Sequence, residues 1–265
     1  MELYPVILPW YGYLLAGLAA VAAGLVNALA GGGTLITFPV LIALGLPGIT
    51  ANVTNTVALC PGYLGATYAQ RADLLKQKKR LWLYLPAGML GGIAGGVLLL
   101  HSSERLFAQL VPFLILLASA LLAVADPLRA WLTRRMGKGA SAAASLATLG
   151  VFPVALAGIY GGYFGAGLSV IVLAVLGLFL NDSLTQLNAL KQAIAFSVNI
   201  AAAVFFVFSG SVNWPVALVM AVCALVGGTL GGKLAGRIQP SLLRRIVVII
   251  GFLVSLIYFY KLFAA

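Results

Sequence analysis

Asn27-Ala28-Leu29-Ala30-Gly31-Gly32-Gly33-Thr34 separates two apolar runs, and its reading decides the fold. The run before it, residues 11–30, is long enough to span a bilayer, which takes about 20 residues. The run after it, residues 34–45, makes only about 18 Å of helix against a hydrocarbon core of about 30 Å. Three glycines between two such runs mark a break in the helix at depth. Non-helical backbone there must be buried in protein or line a wet cavity. A second break reads Gly161-Gly162-Tyr163-Phe164-Gly165-Ala166-Gly167-Leu168-Ser169, and another short run, 168–180, follows it. A shift of 134 residues carries Gly31 onto Gly165 and Gly33 onto Gly167.

Composition agrees with a chain that lives in lipid. Of 265 residues, 63% are hydrophobic and 8% charged, and mean hydropathy is +1.11. Soluble domains carry about 25% charged residues. An all-α integral membrane protein is therefore expected. A nucleic-acid binder is excluded despite the net charge of +11. Cys60 and Cys223 lie in apolar runs and imply no disulfide framework. The opening MELYPVILPWYGY has no Lys or Arg, unlike a signal peptide. Residues 11–30 are thus expected to stay in the mature chain.

The duplication extends beyond the breaks. A shift of 136 carries 91–96 (GGIAGG) onto 227–232 (GGTLGG). Each half reads as five apolar segments: 11–30, 34–45, 50–70, 81–100 and 105–125, then 144–160, 168–180, 184–208, 214–232 and 242–262. The expected organisation is a first repeat at 1–125, a basic linker at 126–141 and a second repeat at 142–265. The 91–96 and 227–232 glycines lie within uninterrupted segments and are expected to pack helices closely. Pro39, Pro61, Pro86, Pro112 and Pro153 are expected at kinks.

Charge sets the orientation. Thirteen of the sixteen Lys and Arg fall in residues 71–80, 126–141 and 233–245. Short basic loops are expected to be cytoplasmic, with a solvated face that reports orientation rather than a ligand. The nearly neutral stretches 101–104 and 209–213 are expected outside. This pattern requires an odd number of crossings per half, and so an inverted-topology repeat. Two arrangements satisfy it: segments one and two of each half both cross, or they form a re-entrant hairpin. Both place short, broken helices near the midplane.

A helix starting at a break offers N–H groups and a positive end, and glycine admits close approach. Two such ends facing each other suit a small oxyanion. The candidate site residues are Asn27, Gly31, Gly32, Gly33 and Thr34 at the first break, with Gly161, Gly162, Gly165 and Gly167 at the second. Asn52, Thr54 and Asn55 follow in the first half, and Asn188, Lys191 and Gln192 in the second. Asn188, Lys191 and Gln192 share one helix face at i, i+3, i+4. A charge inside a membrane segment is costly and marks function by default. No Asp or Glu lies at the depth of Lys191, so an anion is its expected partner. Asn199 is expected to bond between helices. Tyr160 and Tyr163 either line the break or pack. With one His, no buried acid pair and no metal-ligand set, an enzyme is not expected, and no cofactor or metal is called for.

The runs Gly31-Gly32-Gly33-Thr34-Leu35-Ile36-Thr37-Phe38-Pro39, Gly45-Leu46-Pro47 and Ala51-Asn52-Val53-Thr54-Asn55-Thr56 resemble the sulfite exporter TauE/SafE family of membrane permeases. The second-half glycines at 158, 161, 162, 165 and 167 are similar to that family's repeated motif. Leu173 stands where Pro39 would predict proline, and Asn188 replaces Thr54. The resemblance implies a multi-pass cell-membrane transporter for a small sulfur-containing anion such as sulfite, thiosulfate or a sulfonate. Alternating access around a midplane site is the expected mechanism, and a channel-like passive facilitator is the alternative.

Overall fold

The computed structural model describes residues 7–29, 31–135, 148–180, 182–234 and 240–264. Among these, all regular structure is α-helical. The helices are α1 (Trp10–Leu29), α2 (Thr34–Ala43), α3 (Gly48–Ala69), α4 (Arg71–Leu75), α5 (Lys78–His101), α6 (Glu104–Ala123) and α7 (Ala125–Arg135). They continue with α8 (Val151–Tyr163), α9 (Leu168–Phe179), α10 (Leu184–Val207), α11 (Trp214–Leu234) and α12 (Pro240–Ala264). Six of them, α1, α5, α6, α10, α11 and α12, are long and apolar enough to cross a membrane. The chain is a multi-pass membrane protein. α3 is as long, with 22 residues, but carries Thr50, Asn52, Thr54, Asn55 and Thr56.

Local chemistry sets the helix starts. The Ser183 hydroxyl accepts from the Gln186 N–H while Gln186 reaches back to Ser183, a capping box that opens α10. Ser103 accepts from the Leu106 N–H and opens α6. Pro39, Pro61, Pro86 and Pro112, expected at kinks, lie inside helices.

Glycine faces decide the packing. Gly17 of α1 meets Val219 and Cys223, and Gly24 meets Ala224 and Gly228. Gly227 lies on Val21, and Gly231 on Leu25 and Ala28. Positions rise together, so α1 and α11 run parallel with their backbones touching. Gly91 on Ala155 and Gly158, and Gly95 on Ile159 and Tyr163, place α5 and α8 in the same relation. A methyl group at Gly91, Gly95 or Gly227 would overlap a carbonyl oxygen of the facing helix. These glycines do the close packing expected of small residues in membrane helices.

The remaining contacts fix the other directions. Thr54 beside Asn213, and Gly62 beside Ala224, set α3 parallel to α11. Gln77 beside Gln186, Gly88 beside Ser197 and Gly96 beside Phe206 set α5 parallel to α10. Thr67 bonds Gln192 near the start of α10 while Thr54 meets Asn213 beyond its end, so α3 and α10 are antiparallel. Thus α1, α3 and α11 run one way, and α5, α8 and α10 the other. α10 is the most enclosed span, 67% buried, and α12 the most lipid-facing, 17% buried.

Sequence left open whether the short segments cross or return. In the structure each short helix runs antiparallel to the helix before it, the packing that both arrangements share. Gly33 stands against Ala23 and Asn27, and Leu44 reaches Gly12, so α2 doubles back along α1. Leu168 packs on Gly161, and Phe179 on Gly150, so α9 doubles back along α8.

The basic stretches are less open than expected. α4 and α7 are short helices within them, and residues 136–141 and 235–239 lie outside the described residues. Arg80 pairs with Asp182 across to α10. Arg244 is only 2% exposed and pairs with Asp126. These two arginines tie helices together; the solvated face expected for every residue of these stretches does not extend to them.

Candidate functional site

Each break is a short left-handed excursion that only glycine adopts without strain. Gly31 and Gly32 have φ of 80° and 94°, and Gly165 and Gly167 have 80° and 77°. In the first break the Gly31 N–H donates to the Val26 carbonyl at 2.9 Å and the Gly33 N–H to Asn27 Oδ1 at 2.8 Å. In the second, the Tyr160 hydroxyl donates to the Ala166 carbonyl at 2.6 Å, so Tyr160 does line the break.

The two breaks meet. A Cβ on Gly31 would lie 3.4 Å from the Ser169 side chain, in the first turn of α9. Phe38 of α2 packs edge-on against Phe164 of the second break, with ring centroids 5.3 Å apart, and Phe107 of α6 closes on both rings. Phe38, Phe107, Phe164 and Ser169 stand at this junction and were not among the candidates read from sequence. Only the aromatic next to Pro39, and the serine ending the second glycine run, hinted at them.

Not every helix-end donor is open, as the sequence reading assumed. The Leu35 and Ile36 N–H groups donate to the Gly32 and Gly33 carbonyls at 3.0 and 2.9 Å. The Leu168 and Val170 N–H groups donate to Gly165 and Gly167 at 3.3 and 2.9 Å. Tight turns leading into both short helices satisfy these donors within the break.

α3 brings two asparagines to the junction. Asn52 Nδ2 donates to the Tyr163 carbonyl at the end of α8, 2.8 Å away. Asn55 Nδ2 donates to Thr34 Oγ1 at 3.5 Å. Both side chains are 1% exposed, and both amide oxygens lack a hydrogen-bond partner. Their donors are committed and their acceptors are open. Such a pair complements a ligand that brings a hydrogen or a positive charge, for instance a protonated oxyanion or a water beside it. Thr54 instead accepts the Asn213 N–H at 3.0 Å and fixes the 209–213 turn.

The second-half polar trio lies elsewhere. Lys191 Nζ is 3.2 Å from Asn188 Oδ1, and both side chains are half-buried. The Gln192 carbonyl accepts from Thr67, while its buried Nε2 has no partner. Thr67 lies twelve residues beyond Asn55 on α3, about 18 Å along the helix. The trio therefore does not share a ring with Asn52 and Asn55. Its Lys191 lies about 7.5 Å inward of Gln186 along α10. Gln186 lines a cavity of about 540 Å³ with Lys76, Lys78, Lys79, Arg80 and Asp182. Asn199 bonds the Ala195 carbonyl of its own helix at 2.8 Å, not a neighbouring helix.

Asn27 is the side chain that shapes the first break. Asn27→Ala would leave the Gly33 N–H unpaired, at a cost of about 1–3 kcal/mol. Thermal unfolding in detergent should show a lowered Tm for Asn27→Ala and recovery in Asn27→Asp, which keeps an acceptor. Equal Tm for wild type and Asn27→Ala would remove that bond from the account.

Residues 16–258 match the sequence profile of the family described as Sulfite exporter TauE/SafE. A probable membrane transporter protein of Haemophilus influenzae is 29% identical over 234 residues, covering 88% of this chain and 89% of the relative. The probable membrane transporter protein YfcA of Escherichia coli K12 is 24% identical over 242 residues, covering 89% and 85%. The probable membrane transporter protein ORF9 of a Sinorhizobium species is 27% identical over 238 residues, covering 88% and 86%.

Proposed function

Because the chain belongs to the sulfite exporter TauE/SafE family of membrane transporters, we propose that its substrate is a small sulfur-containing anion: sulfite, thiosulfate or a sulfonate. The contact of the two glycine breaks at Gly31 and Ser169 carries this reading. There two interrupted helices bring their polar backbone together inside an apolar protein. Asn52 and Asn55 would accept a hydrogen from the protonated oxyanion or from a water bound with it.

The basic cavity around Lys76, Lys78 and Lys79 would gather the anion at the cytoplasmic face, and Lys191 would receive it next. This assigns the basic stretches 71–80, 126–141 and 233–245 to the cytoplasm. We read 1–125 and 142–265 as inverted-topology repeats, joined by 126–141. The opposed directions of α1 and α8, and of α3 and α10, support that reading. Transport then proceeds by alternating access, with the hairpins rocking about the break junction.

One observation favours a passive facilitator as the second reading. Among the described residues, Asp73, Glu104, Asp126 and Asp182 lie within or beside terminal helical turns, and Glu104, one turn from Phe107, is exposed and held by the Ile49 N–H. A proton relay through buried carboxylates therefore has no members at the break junction.

Sulfite flux into proteoliposomes tests both readings. Lys191→Ala should lower flux about tenfold or more, the worth of one charge-assisted contact, with an unchanged Tm. Unchanged flux would remove Lys191 from the path. Flux that ignores an imposed pH gradient and follows only the electrochemical gradient of the anion selects the facilitator. No saturable flux for any sulfur oxyanion overturns the substrate assignment.

A further inference from the structure

The α6–α7 junction and the start of α12 enclose a cavity of about 350 Å³ that the transport reading does not use. Arg244 and Arg245 line it with Leu122, Pro127, Val248 and Ile249. Arg244 donates through Nη1 to Asp126, whose own side chain is half-exposed. Its Nε and Nη2 are buried and have no hydrogen-bond partner. These two nitrogens form the side-on edge of the guanidinium, the fork that grips two oxygens of a phosphate or carboxylate at once. A buried charged donor without a partner is costly, and here two stand on one edge of a side chain that lines a cavity. Asp126 offsets one positive charge, and Arg245 keeps the cavity net positive.

We propose that this cavity is a binding site for a phosphate-type oxyanion, with the Nε–Nη2 edge of Arg244 as its bidentate grip. Two sources supply that chemistry: an anionic phospholipid headgroup and free inorganic phosphate. The surroundings fit the headgroup. From Ile246 onward α12 turns exposed Ile249, Leu253, Leu256 and Ile257 outward, so the arginines stand where the lipid-facing surface begins. Leu122, Pro127, Val248 and Ile249 give the acyl chains an apolar wall.

The test uses the full chain purified in detergent. Phosphatidylglycerol, zwitterionic phosphatidylcholine and inorganic phosphate are titrated separately, with thermal shift and native mass spectrometry as readouts. Arg244→Lys keeps the charge and the Asp126 pairing but loses the planar fork. Ala123→Leu adds bulk at the cavity wall and leaves both arginines in place. The expected result is stabilisation and retention of phosphatidylglycerol over phosphatidylcholine, weakened about tenfold in Arg244→Lys and also reduced in Ala123→Leu. Stabilisation by inorganic phosphate alone, with the same dependence on Arg244, keeps the site and assigns it to the free ion. Binding that is equal in wild type, Arg244→Lys and Ala123→Leu overturns the proposal, as does no preference for either anion. If Arg244→Lys does not fold, Ala123→Leu decides.

Discussion

Gly95→Val is expected to yield no stably folded protein, or one whose Tm falls far below that of wild type. A Cβ at Gly95 meets the Ile159 carbonyl oxygen, with the Tyr163 nitrogen at 2.7 Å and the Ile159 carbonyl carbon at 2.9 Å. All three are backbone atoms of α8, so no side chain can swing away. Overpacking a well-packed core costs about 1–3 kcal/mol where neighbours can shift; here the helices must separate, and the loss should exceed that range. Gly227→Val should behave alike, since it would strike Val21 of α1. Gly65→Ala is the control: nothing lies within 4 Å of its Cβ position, and alanine is the better helix former by about 1 kcal/mol. Size-exclusion profiles and thermal unfolding in detergent measure all three. A Gly95→Val protein as stable as Gly65→Ala would refute the parallel contact of α5 with α8.

The second large effect is on transport without loss of fold. Gly31→Ala and Gly45→Ala both place a side chain at positive φ, 80° and 90°. Each should cost about 1–2 kcal/mol of stability, the strain of the left-handed region. Their surroundings differ. The Gly45 position is open, whereas the Gly31 methyl would sit 3.4 Å from Ser169, between the two breaks. Flux should fall to near the protein-free background for Gly31→Ala and stay close to wild type for Gly45→Ala. Equal flux in the two variants would remove the break junction from the transport path.

Much of this arrangement was legible in the chain because it rests on residues with few physical alternatives. A glycine triplet followed by a run too short to span lipid admits only a break, and both breaks lie where the sequence put them. The spacing of 91–96 and of 227–232 announced close helix contact, and Gly91, Gly92, Gly95, Gly227 and Gly231 pack on the backbone of facing helices. The pairing of helices was not legible. Gly24 and Gly228 carry no mark that says they belong against each other rather than against nearer helices.

The site was legible in part. Asn52 and Asn55 reach the junction because their i, i+3 spacing faces the breaks, but Thr54 turns to Asn213. Asn188, Lys191 and Gln192 repeat the first-half spacing in sequence, yet α10 runs antiparallel to α3. Matching positions in the two halves therefore lie toward opposite faces of the protein. A linear alignment of the halves cannot display that separation. Nor could counting charges separate Arg80 and Arg244, which are held by Asp182 and Asp126, from lysines that face water.

The lateral seat of α1 bears on how the protein is made. Its neighbour along the glycine seam, α11, is synthesised about 200 residues later. Until then the nascent hairpin has a ridge of bare backbone and no companion to cover it. Contacts between such distant parts of a chain form late and expose intermediates while they wait. Final assembly must therefore occur near the end of translation, in one closing step that locks the earliest and latest segments together.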